Sequence, residues 1–430
     1  MPKEIQLIGN QRAQHDALTD WQPGTILYQA GVGGGKTWAF ARKFLMLHAL
    51  NGCKGFVTAP TFSDLWRLCV PEMEQALKEW GWEYSIHPNG KHTEQFPHMV
   101  VCGQVIYLIS CEDPRRIAGF EVGHIWIDEA SRIKQSKTEP MKDAMTQIRM
   151  RLRDSRAKIL QILCSTTPEG LETWVQSDFF IDQKEGHRAY IGSTLKNKHL
   201  PAQYVQDLTN SLPPQLLEQY LNGIAVNLST GLAHPTFTDD NISETAERQQ
   251  LPVHIGMDFN VSPMAWVAGH QIGEQIHIFD ELYIDDFALV DDAMVAIKAK
   301  GWLDGTVVYH PDKAAKQRST TGDAEYTVIT QLSNEWGINY SGDPYGANPP
   351  INNRINNLSR LICNGAGLRN FIVHPRCTHL ISDLRNTERR GAGYYAGTDG
   401  KRGHILDGTG YFCWDIIRPQ REAGVGRVYR

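Results

Sequence analysis

The sequence predicts an α/β protein built of two successive domains. Three observations carry that expectation. At 430 residues the chain is too long for one ordinary hydrophobic core. Its first half alternates short β-rich apolar runs with segments of helical periodicity, the pattern of a parallel sheet covered by helices. After a connector punctuated by Gly and Pro, "NGIAVNLSTGLAHPTF", a new set of strands opens at Leu251. The expected extents are 1–230 for the first domain, with a polar, mainly helical linker region over about 176–230. A connector follows over 231–250, and the second domain runs over 251–430.

Composition excludes several classes. A hydrophobic content of 41% with 21% charged residues fits a globular chain rather than a disordered one. No apolar run approaches the roughly 20 residues that cross a bilayer, and "MPKEIQLIGNQRAQHD" is too polar for a secretory signal. The eight cysteines are scattered without a C-x-x-C pair, so reduced thiols in a cytoplasmic protein are expected. The net charge of -5 hides an asymmetry. Residues 241–353 hold 6 Lys/Arg against 16 Asp/Glu, and residues 354–430 hold 13 against 6. An acidic stretch beside a basic one suits a metal-dependent enzyme acting on a polyanion, and equally a solvated charged surface.

The first domain's strongest signal is "TILYQAGVGGGKT" (25–37), followed by the helical pattern "TWAFARKFLMLHAL". Strand, Gly-rich loop and helix in that order is the context of a P-loop. Gly31, Gly33, Gly34 and Gly35 let backbone N–H groups close around phosphates. Lys36 reaches the β- and γ-phosphates of ATP, and the Thr37 hydroxyl holds Mg²⁺. Ala30 stands where the strict pattern has its first Gly, and is small enough to keep the turn feasible. The strand "GHIWIDEA" (123–130) ends in Asp128, suited to water-mediated Mg²⁺ binding, and Glu129, suited to activating the attacking water as general base. "GFVTAPTF" and "ILQILCSTTPEG" add strands whose carboxyl ends point into the ligand crevice. Thr166 and Thr167 there either sense the γ-phosphate or cap a turn.

The order "QHDAL", "AGVGGGKT", "VTAPTF", "RRIAGFEVGHIWIDEA", "STTPEG", "LKNKHLP" resembles the large terminase subunits of tailed bacteriophages, ATP-driven motors that pump DNA into a preformed capsid. The resemblance implies that Gln14, with Gln11 as the alternative, contacts adenine. It also implies that Thr166 and Thr167 belong to the motif coupling hydrolysis to movement. The family often carries an arginine inside the P-loop, where this chain has Gly31 and Val32. The arginine finger then falls to Arg116, acting in cis or on a neighbouring subunit, with a plain surface arginine as the alternative.

The second domain opens with "LPVHIGMDFNVSPMAWVAGHQIGEQIHIFDELYI" (251–284), read as three strands joined by turns. Asp258 lies inside the first. A carboxylate in an apolar strand is costly unless it is paired or binds a cation, so metal ligand and salt-bridged aspartate are the two readings. "TVVYHPDKAAKQRS" gives a strand ending at Asp312, and "GKRGHILDGTGYFCWDIIR" a helix with Asp407 in its first turns. Three carboxylates converging at one sheet edge can hold two Mg²⁺ or Mn²⁺ about 4 Å apart for in-line phosphodiester cleavage.

That spacing, with the helix–strand–helix run over 350–385, resembles the RNase H-like nuclease domain of the same terminases. The fold class that the resemblance implies is an α/β, ASCE-type P-loop NTPase domain with a parallel sheet followed by an RNase H-like α/β nuclease domain. Asp280, Glu281 and His404 are further candidates for the metal shell. Arg354, Arg360, Arg389, Arg390, Lys401 and Arg402 are candidates for holding DNA phosphates. The resemblance implies double-stranded DNA, a small terminase subunit and the portal protein of the procapsid as partners. It further implies a homo-oligomeric ring when active, and a place in the host cytoplasm, transiently docked on the procapsid. A helicase-like or repair translocase, and an ATPase with a non-catalytic DNA clamp, are the alternatives.

Overall fold

The computed structural model describes residues 12–90, 96–117, 119–133, 143–227, 231–260, 262–313, 328–337, 347–391, 393–397 and 400–417; Gln11 lies outside them. The chain forms two compact units, Met1–Val205 with Gln215–Asn227, and Gln206–Pro214 with Leu228–Arg430.

The first unit is built on eight strands: β1 Gly24–Ala30, β2 Gly55–Thr58, β3 Tyr84–His87, β4 His98–Val101, β5 Gln104–Leu108, β6 His124–Ile127, β7 Gln161–Thr166 and β8 His187–Gly192. They run in the order β3-β4-β5-β2-β6-β7-β1-β8. From β5 to β8 all neighbours are parallel, while β3 and β4 form an antiparallel edge. β7 stands between β1 and β6, as an ASCE-type sheet requires. The inner strands are buried on both faces, which is why they read as continuous apolar runs rather than alternating ones. On one face Phe40, Phe44 and Leu45 of the helix Lys36–Asn51 pack against Trp126 and Leu163. On the other, Met145 and Ile148 of the helix Ala144–Arg149 meet Ile125, Ile127 and Ile162.

One element departs from expectation. The stretch expected to be mainly helical contains β8, paired with β1 from Thr25↔His187 to Ala30↔Gly192. Its sequence, HRAYIG, is polar because an edge strand is half solvated, yet Ala189 and Tyr190 pack on opposite faces of the sheet. That is the two-residue period of a strand. The backbone groups along the outer side of β1 are satisfied this way.

The second unit has a five-stranded sheet of β9 Val253–Asp258, β10 Met264–Ile272, β11 Gln275–Ile284, β12 Val307–Pro311 and β13 Phe371–Val373, ordered β12-β9-β10-β11-β13. β9, β10 and β11 form the antiparallel meander that the turns foretold, and β12 joins β9 in parallel. The helix His404–Ile416 lies on β9 at unusually short range. A Cβ on Gly256 would stand 2.2 Å from the Gly408 carbonyl oxygen and 2.9 Å from the Phe412 Cβ. Only glycine at 256 permits this approach, and the approach brings the first turn of the helix beside the end of β9.

Candidate active sites

The first site is the loop between β1 and the helix Lys36–Asn51. Gly33 and Gly35 take left-handed φ values of 77° and 74°. Gly34 is tied by its N–H to the Gly31 carbonyl at 3.1 Å, and its own carbonyl accepts from the Tyr28 hydroxyl. Lys36 is buried and donates through Nζ to the Gly31 carbonyl at 2.9 Å. Burial lowers the pKa of its ammonium, while Glu129 and Asp128 oppose that shift. A second segment grips the loop from outside. Thr194 Oγ1 donates to the Val32 carbonyl and Asn197 Nδ2 to the Gly33 carbonyl, both at 2.8 Å, and the Val32 N–H donates to the Tyr220 carbonyl at 2.7 Å.

Asp128, at the end of β6, is buried and accepts from Ser165 Oγ at 2.6 Å, from Thr37 Oγ1 at 3.3 Å and from the Cys69 thiol at 3.7 Å. Burial, reinforced by neighbouring Glu129, pushes its pKa up to about 7. A buried carboxylate beside a threonine hydroxyl, short of compensating charge, is a donor set that fits Mg²⁺. Glu129 follows in a left-handed conformation, φ 49°, which turns its carboxylate to the Thr167 N–H at 3.3 Å. Thr166 points inward, donating to the Thr167 carbonyl and accepting the Ser131 N–H.

Gln14 and Arg116 differ sharply in burial. Gln14 is fully buried, its Nε2 bonded to the Gly35 carbonyl at 3.2 Å and its Oε1 without a hydrogen-bond partner. Arg116 is exposed on the turn Pro114–Ile117, and none of the site's hydrogen bonds among the described residues involves it. A P-loop arginine at 31 is sterically excluded, since a Cβ there would lie 2.2 Å from the Tyr220 carbonyl oxygen.

The second site is a cavity of about 480 Å³ lined by Asp258, Asp312, Asp407, Asn348, Arg354, His404 and Tyr411, among others. Asp258 ends β9 and Asp312 follows β12, its N–H bonded to the Met257 carbonyl at 2.9 Å. Parallel neighbours release both carboxylates at one edge, and the Gly256–Gly408 approach adds Asp407. Each has a partner. His404 Nδ1 is 2.9 Å from Asp258 Oδ2, Asn348 Nδ2 donates to Asp312 Oδ1 at 2.6 Å, and Arg354 Nη1 is 2.9 Å from Asp407 Oδ1. Burial raises the pKa of Asp258, and pushes that of Asp407 up to about 6 against the pull of Arg354. Among the described residues no three His, Cys, Asp or Glu groups already converge on one ion. The oxygen-rich donor set and its shortage of compensating charge nevertheless fit hard divalent cations.

The family model described as "Terminase large subunit, T4likevirus-type, N-terminal" matches residues 27–242. This chain belongs to the large terminase subunits. It is accordingly a DNA-packaging ATPase, which sets aside the helicase-like reading. The solved large terminase of a thermophilic bacteriophage has a TM-score of 0.58 to it at 15% identity, covering 96% of this chain and 99% of that one. The same phage's terminase in complex with ADP and with ATP-γ-S gives 0.56 and 0.54, each at 15% identity over 94% of this chain and 99% of that one. At such identity the likeness is one of fold, and it extends over both units. No curated protein matches the sequence.

Asp280 and Glu281 of this terminase lie apart from the carboxylate cavity. Asp280 is bonded to Lys300 and Trp302, and Glu281 caps the helix Thr378–Asn386 through the His379 and Leu380 N–H groups. Of the six basic residues expected to hold DNA phosphates, Arg354 and Arg389 are buried and Arg360 is half-buried. Arg389 is bonded to Asn352, Arg360 to Asn357, and Lys401 pairs with Asp285. Arg390 and Arg402 are exposed. Ser165, Thr194, Asn197 and Asn348 are functional candidates that the sequence alone does not single out. Ser165 carries a usable signal, since it precedes Thr166 at a strand end facing the crevice.

Proposed function

We propose that this terminase moves double-stranded DNA with its first unit and cuts it with its second. In the motor site, Lys36 leaves the Gly31 carbonyl to hold the β- and γ-phosphates of ATP, and the loop amides of 33–35 close around them. Thr37 and Asp128 would hold Mg²⁺, which supplies neutralisation of phosphate charge. Glu129, steered by the Thr167 N–H, takes the proton of the attacking water, and Thr166 links that strand end to the Ser131 backbone. Gln14 stands behind the loop as the adenine contact. Arg116, exposed on its turn, serves a neighbouring subunit of a homo-oligomeric ring.

The nuclease reading is carried by one observation: Asp258, Asp312 and Asp407, far apart in sequence, line a single cavity. A DNA clamp has no use for three acids gathered in one cavity, with Asp258 buried and costly to desolvate. The three carboxylates would hold two Mg²⁺ or Mn²⁺, which supply an activated water and neutralise the scissile phosphate. His404 orients Asp258 through Nδ1, and Asn348 fixes Asp312. The packaging role calls for the small terminase subunit and the portal protein of the procapsid as partners, in the host cytoplasm.

The test is cleavage of supercoiled plasmid with Mn²⁺ and with EDTA. Cutting should require the metal, and Asp258→Asn, Asp312→Asn and Asp407→Asn should each abolish it, non-additively, with ATPase intact. Metal-independent cutting, or full cutting by Asp407→Asn, would refute the assignment.

A further inference from the structure

Arg354 sets a permanent positive charge inside the carboxylate cavity. It lies in the helix Ile351–Ile362, is 5% exposed, and is the only lysine or arginine among the cavity's described lining residues. Nη1 is 2.9 Å from Asp407 Oδ1 and also donates to the Asp407 carbonyl at 3.4 Å. The guanidinium carbon stands 4.1 Å over the Tyr411 ring, and Nε is buried without a hydrogen-bond partner. A surface cation gathering phosphates would not be built this way. The side chain is committed to one carboxylate, and only loosely satisfied elsewhere.

We propose that Arg354 is a resident counter-ion of Asp407 that a divalent ion must displace, so that it sets how much metal the cavity needs. The inference rests on the nuclease reading above. The argument is one of occupancy and repulsion. Magnesium binds carboxylate oxygen at about 2.1 Å. Nη1 is already 2.9 Å from the same oxygen, so the two cations would stand within about 5 Å of each other. With Arg354 5% exposed, that repulsion is only partly screened by water. The divalent ion would prevail because Asp258 and Asp312 would also hold it, whereas among the described carboxylates Arg354 pairs with Asp407 alone. The Tyr411 face keeps the guanidinium in place while Nη1 lets go.

The test is isothermal calorimetry of Mn²⁺ binding to the full chain, comparing wild type, Arg354→Gln and Arg354→Lys. With the competing charge removed, Arg354→Gln should bind the weaker ion roughly tenfold more tightly, the scale of one close charge pair. Arg354→Lys keeps the charge and should bind like the wild type. Equal or weaker Mn²⁺ binding by Arg354→Gln overturns the proposal, since Arg354 would then be orienting Asp407 for metal. If Arg354→Gln does not fold, the wild type still decides. One arginine Nε–H resonance, absent from Arg354→Lys, should shift on Mg²⁺ titration, and an unmoved resonance refutes displacement. A wild type that binds no Mn²⁺ would overturn the nuclease reading, and the counter-ion with it. A wild type that binds, with Arg354→Gln no tighter, would overturn the counter-ion alone.

Discussion

Gly256→Ala tests how the carboxylate cavity is assembled without touching any polar group in it. The new Cβ would lie 2.2 Å from the Gly408 carbonyl oxygen, and ordinary contact begins at 3.4 Å. Relief therefore takes about 1.2 Å of separation between β9 and the helix His404–Ile416. Neither side yields easily, because the clash is with backbone and with the Cβ of the fully buried Phe412. Overpacking of this kind typically costs about 1–3 kcal/mol, which for a unit of roughly 200 residues lowers Tm by roughly 2–12 °C. Asp407 immediately precedes Gly408 and moves with it. A displacement of about 1 Å in a positioned group is worth roughly 10²-fold in rate. Calorimetry should show the second unit's transition lowered, plasmid cleavage should fall by about that factor, and ATP turnover should be unchanged. An alanine variant with wild-type Tm and full cleavage would mean that this approach does not seat Asp407.

Lys36→Ala should abolish ATP hydrolysis and packaging while plasmid cleavage survives; a variant that still hydrolyses ATP at near the wild-type rate would sink the motor assignment. Glu129→Gln should keep nucleotide binding and lose about 10²–10⁴-fold in turnover, measured by phosphate release, and normal turnover would move the base elsewhere. Mixing Arg116→Ala with Glu129→Gln subunits should restore part of the lost ATPase, because each supplies the group the other lacks. No recovery at any ratio would remove support for action between subunits. Asp128 predicts a pH dependence of stability. Burial raises its folded-state pKa from 3.8 to about 7, so the folded chain holds this proton more tightly than the unfolded one. The contribution is complete below the unfolded value and is lost as pH rises through about 7. In chelator, Asp128→Asn should flatten the fall in the first unit's Tm between about pH 5 and pH 8, and an unchanged slope would locate the titrating group elsewhere.

What is legible in the sequence is whatever the chemistry concentrates locally. The P-loop and Asp128-Glu129 are short, contiguous and sit at strand ends. Asp258 and Asp407 each interrupt an apolar element where a carboxylate is out of place, and Asp312 directly follows an apolar strand. Groups whose role depends on distant neighbours are not legible. Thr194 and Asn197 hold the P-loop from 162 and 164 residues away, and β8 is a strand only because the outer side of β1 needs a partner. Arg354, expected among the phosphate-holding cations, is instead buried, and its own helix carries the correction. Leu358, Leu361 and Ile362 recur at helical spacing from it on the buried face, which turns Arg354 inward.

The grip of Thr194 and Tyr220 on the P-loop, and the late position of Asp407, have a consequence for synthesis. The motor site lacks its outer brace until the chain has been made past Tyr220, and the cutting site lacks a carboxylate until the helix His404–Ile416 has emerged. About 190 residues separate Asn227 from Ile416, which at 5–20 residues per second takes roughly 10–40 s. A nascent terminase thus passes through an interval in which its P-loop site is fully encoded and its carboxylate cavity is not. A chain whose synthesis stops in that interval carries the braced P-loop and lacks one of the three cavity carboxylates.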